Sequence, residues 1–146
     1  MMIISILLSA VFIASPGPDW HYDFDLAKAQ AQKEHKTIIL NFAGSDWCGP
    51  CIKMTRDIFE KDTFIAYSNK KLVLVRADFP RAKKNQLEAK QVKHNEALAE
   101  KYNPQGKFPL TLLLDENGKI LKTWDGFKSG TPEEFIQQIE QALNAR

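Results

Sequence analysis

Cys48 and Cys51 are the only cysteines in the chain, and they lie within the stretch S-D-W-C-G-P-C-I-K-M at 45–54. Two thiols at this spacing suit three chemistries: a disulfide staple, half of a metal site, or a couple that opens and closes by thiol–disulfide exchange. A tetrahedral zinc site needs four ligands, supplied by a second CxxC pair or by closely spaced histidines. The three histidines, His21, His35 and His94, are scattered along the chain, so no metal is expected. A staple has no use for the Gly49-Pro50 spacer or the flanking Trp47. Exchange is therefore favoured, with an inert disulfide in a binding module and a metal-binding protein kept as the alternatives.

The elements around the pair show how it would be held. Asp25 to Lys36 is rich in Ala, Lys, Gln and Glu and predicts a helix. T-I-I-L-N-F at 37–42 reads as a buried strand. The loop A-G-S-D-W follows, and a helix is expected from about Cys48 through Met54 and Thr55. Asp62 to Ser68 predicts a short helix capped by Asp62. K-L-V-L-V-R-A-D-F at 71–79 is a second strand, stopped by Pro80. Residues 81–102 predict one long polar helix with a solvated face, His94 being a surface histidine on it. F-P-L-T-L-L-L-D at 108–115 is a third strand, and the Asn117-Gly118 pair signals a tight hairpin to a returning strand at 120–124. Thr131 as N-cap, Pro132 at the first turn and Glu134 completing a capping box mark the start of a terminal helix. Strands alternating with helices imply parallel pairing and the late hairpin adds an antiparallel edge, so an α/β fold with a central mixed sheet is predicted.

The totals narrow the function. A chain of 146 residues suits one domain, and an apolar fraction of 44% can build a core. A net charge of +2 falls short of the basic face that nucleic-acid binding requires, so no nucleic-acid partner is expected. The leader MMIISILLSAVFIA carries no charged side chain and runs into S-P-G-P. It is too short for an ordinary bilayer span and fits the core of a signal peptide. Residues 1–17 are thus expected to be a signal peptide, with an uncleaved N-terminal anchor as the variant and a buried first strand as the structural alternative. Residues 18–146 form the expected domain, placed in the periplasm or secreted. Contact with a membrane is expected only if the leader is retained. No cysteine follows the leader to carry a lipid.

The motif W-C-G-P-C at 47–51, preceded by the strand I-I-L-N-F, resembles the thioredoxin family. So do Phe108-Pro109 with Thr111 two residues on, and the late hairpin and terminal helix. The resemblance covers roughly residues 20–145. It implies a three-layer α/β/α sandwich and a redox-active disulfide, Cys48–Cys51, with no other cofactor. Cys48 would be the nucleophile, its thiolate favoured at a helix N-terminus. Cys51 would be the resolving thiol that attacks the mixed disulfide. Gly49 would permit close approach and Pro50 would fix the helix start. Pro109 would be the family's cis-proline facing the cysteines. Phe108 would offer its backbone to an extended substrate, and Trp47 would cover one side of the site. The implied partners are protein thiols and disulfides and an electron donor, with the protein acting as a monomer and reducing its substrates, as the Gly-Pro spacer suggests.

Two departures qualify the resemblance. The family's buried aspartate corresponds to Asn41, whose amide accepts no proton at neutral pH. The lysine that accompanies it would fall near Leu74 if Asp78 marks the acid ending the next strand, so both halves of a buried charge pair would be missing together. Asp46, beside Trp47, is then the candidate proton acceptor, against the simpler reading of a solvated loop acid. The long 81–102 helix is the second departure, pointing to exported thioredoxin-like proteins.

Overall fold

The computed structural model describes residues 16–146. The leader, and with it nearly all of the expected 1–17 segment, lies outside the described residues. The elements are β1 (Trp20–His21), α1 (Phe24–Glu34), β2 (Thr37–Ala43) and α2 (Gly49–Met54), which runs on as a π-helical turn (Thr55–Phe59). Then come α3 (Asp62–Lys71), β3 (Leu72–Asp78), a 3₁₀ turn (Lys83–Asn85), α4 (Ala89–Tyr102), β4 (Leu110–Leu114), β5 (Ile120–Asp125) and α5 (Pro132–Asn144). The sheet order is β1-β3-β2-β4-β5, with β1, β3 and β2 parallel and β4 and β5 antiparallel to their neighbours. This is the mixed sheet expected.

β2 is buried at all seven positions because both of its faces are covered, which explains its unbroken apolar run apart from Asn41. Its side chains divide by the period of two. Ile38, Leu40 and Phe42 join Phe24, Ala27, Ala31, Leu98 and Tyr102 under α1 and α4. Ile39 joins Met54, Ile58, Phe59, Phe64, Phe135 and Ile139 under α2, α3 and α5. On β3, Leu72 and Leu74 belong to this second core, whereas Val73, Val75 and Ala77 belong to the first. Arg76 continues the side of Leu72 and Leu74, and the register sets it beside Asn41. Thr111 flanks Asn41 on the other side.

The structure corrects several local expectations. The strand β1 has only two residues and gives no sequence pattern of its own. α3 begins at Asp62, with Lys61 as its N-cap residue and no side-chain cap, so Asp62 supplies first-turn charge and not the cap. The 81–102 helix starts only at Ala89, because the preceding stretch is tied to Asp46 and folds as a loop with one 3₁₀ turn. His94 is half-buried, and its Nε2 accepts the Phe24 N–H at 3.1 Å, so it fastens α4 to the start of α1. The hairpin has five linking residues, Asp115 to Lys119. Asp115 Oδ1 accepts the N–H groups of Asn117 and Lys119, and Gly118 takes a positive φ of 87°. The capping box at Thr131 and Glu134 is present as expected.

Candidate active site

β2 delivers the chain to the site through Gly44 to Trp47, a turn closed by the Trp47 and Cys48 N–H groups on the Gly44 carbonyl. Two carboxylates hold this turn in place. Asp78, at the end of β3, accepts the Ser45 N–H at 2.9 Å and the Ser45 hydroxyl at 2.6 Å. Asp46 accepts the N–H groups of Arg81 and Ala82, both at 2.9 Å, and the Asn85 amide at 3.0 Å. These donors lower the Asp46 pKa, the Arg81 N–H first, then Asn85. A base working near neutral pH needs the opposite shift and free lone pairs. The geometry therefore makes Asp46 a tether between the motif and the 81–85 loop.

Cys48 is the N-cap residue of α2, and its sulfur accepts the Cys51 N–H at 3.3 Å. Cys48 and Cys51 are joined as a disulfide. Exposure hardly separates them, at 5% and 3%. What separates them is that Cys48 receives one of the unpaired donors of the helix start, a placement that favours negative charge on its sulfur. Pro50 lies in the first turn of α2, where its missing N–H is no loss. A side chain at Gly49 would meet no atom within 4 Å, so the space before the disulfide is open.

The peptide bond between Phe108 and Pro109 is cis, as the resemblance implied. Phe108 packs with Trp47 and the cysteines as one small cluster. The Trp47 and Phe108 rings meet edge to face at 5.4 Å, as do Phe79 and Phe108. Trp47 Nε1–H donates to the Phe79 carbonyl oxygen at 2.7 Å, and the Arg81 guanidinium lies 3.6 Å over the indole. Gly44 makes this arrangement possible: a Cβ there would fall 2.2 Å from the Trp47 ring. The motif does not mark Phe79, Arg81 or Gly44 as parts of the site. A glycine three residues before a bulky motif tryptophan was the available signal for the last.

Asn41 is 2% exposed, and its Nδ2 donates to Thr111 Oγ1 at 3.0 Å. Thr111 Oγ1–H in turn faces Met54 Sδ at 3.7 Å. The family's lysine position, expected near Leu74, lies two residues further along β3 if it is the neighbour of Asn41. Leu74 pairs with Ile39, and the neighbour of Asn41 is Arg76. The site therefore has no buried acid at this position but keeps a cation. Among the described residues no cluster of His, Cys, Asp and Glu could hold a metal ion.

A disulfide at a helix start, after a buried central strand and packed against Phe108, whose bond to Pro109 is cis, defines a thiol–disulfide oxidoreductase built on the thioredoxin fold. Comparison with known proteins agrees. Residues 19–115 match the thioredoxin-like family model. The disulfide bond reductase DsbH of Chlamydia pneumoniae is 33% identical over 134 residues, which is 92% of this chain and 78% of that protein. A solved structure of DsbH oxidoreductase aligns with a TM-score of 0.79 at 31% identity, covering 99% of this chain and 96% of the other. A thioredoxin from Thermus thermophilus gives 0.62 at 18% identity over 88% of each chain, a likeness of fold alone. This chain belongs to the thioredoxin-like family.

Proposed function

We propose that this protein reduces disulfide bonds of other proteins outside the cytoplasm. The observation that carries the reading is the Cys48 sulfur seated at the helix start, accepting the Cys51 N–H, with open space before Gly49. In the reduced protein the Cys48 thiolate attacks one sulfur of a substrate disulfide. A bond forms between Cys48 and that sulfur, and the other substrate sulfur leaves as a thiolate that takes a proton from water. Cys51 then loses its proton and attacks Cys48. The Cys48–Cys51 bond forms, the mixed disulfide breaks, and the second substrate thiol is released. The protein dithiol is oxidised by two electrons and the substrate disulfide is reduced by two.

Trp47 and Phe108 flank the disulfide and give an extended substrate segment an apolar wall, while the backbone at Phe108 and Pro109 offers it hydrogen bonds. A dithiol donor must restore the reduced state after each cycle. The apolar leader supports export to the periplasm, and among the described residues no helix is long and apolar enough to cross a membrane. A monomer suffices, because one chain supplies both thiols. The test is reduction of insulin by dithiothreitol with catalytic amounts of the protein, together with the redox equilibrium against glutathione. Faster insulin precipitation and an equilibrium lying toward the disulfide form, relative to glutathione, are expected. No acceleration would end the proposal, and an equilibrium strongly toward the dithiol form would reverse its direction.

A further inference from the structure

We propose that Arg76 takes the place of the missing buried acid, lowering the pKa of the resolving thiol by a fixed positive charge and not by accepting its proton. This rests on the exchange reading of the site. Cys51, Arg76, Thr55, Ser45 and Glu60 line one cavity of about 330 Å³. Exposed Ile52, Arg56 and Glu60 also border it, so its mouth is at the surface. Inside it, Arg76 is locked in place. Its Nη2 donates to Thr55 Oγ1 at 3.2 Å, and its guanidinium lies 4.1 Å over the Trp20 ring and 5.8 Å from that of Phe59. Its Nε is buried without a hydrogen-bond partner, and among the described residues it forms no ion pair.

A half-buried guanidinium with no ion-pair partner is unfavourable, and burial lowers its pKa from the ordinary value. Arginine stays protonated nonetheless. The anion that would relieve it is one that forms only during the cycle, and Cys51, whose thiolate is that anion, lines the same cavity. The other charged and titratable groups facing this region do not serve as well. Arg56 is paired with Asp57, and the Asp78 carboxylate is taken by Ser45. Tyr22, Asp78 and Glu60 act on Arg76 through their charge without an ion pair; Tyr22 and Glu60 are exposed, and Asp78 is committed to Ser45. Asn41 accepts no proton, and the lone pairs of Asp46 are committed elsewhere. The proton from Cys51 therefore passes to solvent at the cavity mouth, and Arg76 holds the sulfur that loses it. Arg76 is a positioning residue for charge, acting through Cys51.

The test is the thiolate absorbance at 240 nm of the Cys48→Ala protein, in which Cys51 is the only thiol. With Arg76 in place the midpoint should fall below about 8.5, the ordinary thiol value. Arg76→Met in that background keeps the apolar stem under Trp20 and should raise the midpoint by about one unit, the lower end for a nearby opposite charge. Arg76→Lys should hold it near the parent. Circular dichroism confirms folding of each variant. A midpoint unmoved in folded Arg76→Met, or Met and Lys moving alike, would overturn the proposal. A parent midpoint above 8.5 would overturn it whether or not Arg76→Met folds. This titration is readable even if the intact protein proves unable to reduce insulin, so the two proposals can fail separately.

Discussion

Gly44→Ala is a one-carbon change whose consequence follows from a single contact. The added Cβ would lie 2.2 to 2.5 Å from three atoms of the Trp47 indole. The backbone at Gly44 is not in the left-handed region, so the strain is steric alone. Trp47 must move, and it is held by its hydrogen bond to Phe79, by the Phe108 ring and by the Arg81 guanidinium. Overpacking of this kind costs about 1–3 kcal/mol. Losing the indole hydrogen bond adds about 1 kcal/mol. Alanine restricts the unfolded chain, which returns about 0.4–1 kcal/mol. The net loss is then about 1–3.5 kcal/mol, or roughly 3–12 °C in Tm for a domain of this size. Urea unfolding of the oxidised protein, followed by tryptophan fluorescence and by circular dichroism, measures it. The same substitution made in Trp47→Ala should lose nearly all of its effect, since the clashing ring is gone. A Gly44→Ala protein as stable as the wild type, or one equally destabilised in both backgrounds, would refute the reasoning.

Thr111→Val leaves the buried Asn41 amide without its acceptor and should destabilise the protein by about 1–3 kcal/mol in urea unfolding, whereas an unchanged midpoint would mean the amide finds another partner. Thr131→Ala removes the cap of α5 and should lower stability by about 1 kcal/mol; a loss under a few tenths would contradict the capping box. Asp46→Ala should release the 81–88 loop, seen as faster tryptic cleavage at Lys83 and Lys84 in a protein that stays folded. Acid should release the same loop in the wild type. Because the folded pKa of Asp46 is depressed, the tether is complete above the unfolded carboxylate value of about 3.9 and is lost as pH falls through the lower folded value. Amide signals of Arg81 and Ala82 that shift at neutral pH instead would contradict this.

Much of the site was legible because its parts are local. A buried strand, a loop, W-C-G-P-C and a helix lie within eighteen residues, and the capping box at Thr131 announces α5 in four. The relations that the sequence hid are those between strands. Counting back from Asp78 puts the family's lysine position near Leu74, but parallel pairing runs Asn41 to Arg76 and Ala43 to Asp78 without a break. The alternation of β3 did hold the clue. An arginine on the same side as Leu72 and Leu74 faces a core, and a charged residue there needs a reason. The 81–88 stretch misled for a different cause. Its composition favours helix, but the Asp46 carboxylate claims the N–H groups of Arg81 and Ala82, a tertiary contact that local propensity cannot anticipate. Trp20 and β1 are too short for any periodicity, yet they supply the ring that covers Arg76.

The central claim is that Cys48 attacks and Cys51 resolves. It is tested most directly by mixing reduced Cys51→Ser and reduced Cys48→Ser proteins separately with insulin and weighing the products by mass spectrometry under non-reducing, acid-quenched conditions. The account predicts a covalent adduct through Cys48 that accumulates in Cys51→Ser and is nearly absent in Cys48→Ser. Adducts forming preferentially through Cys51, or with neither variant, would contradict it.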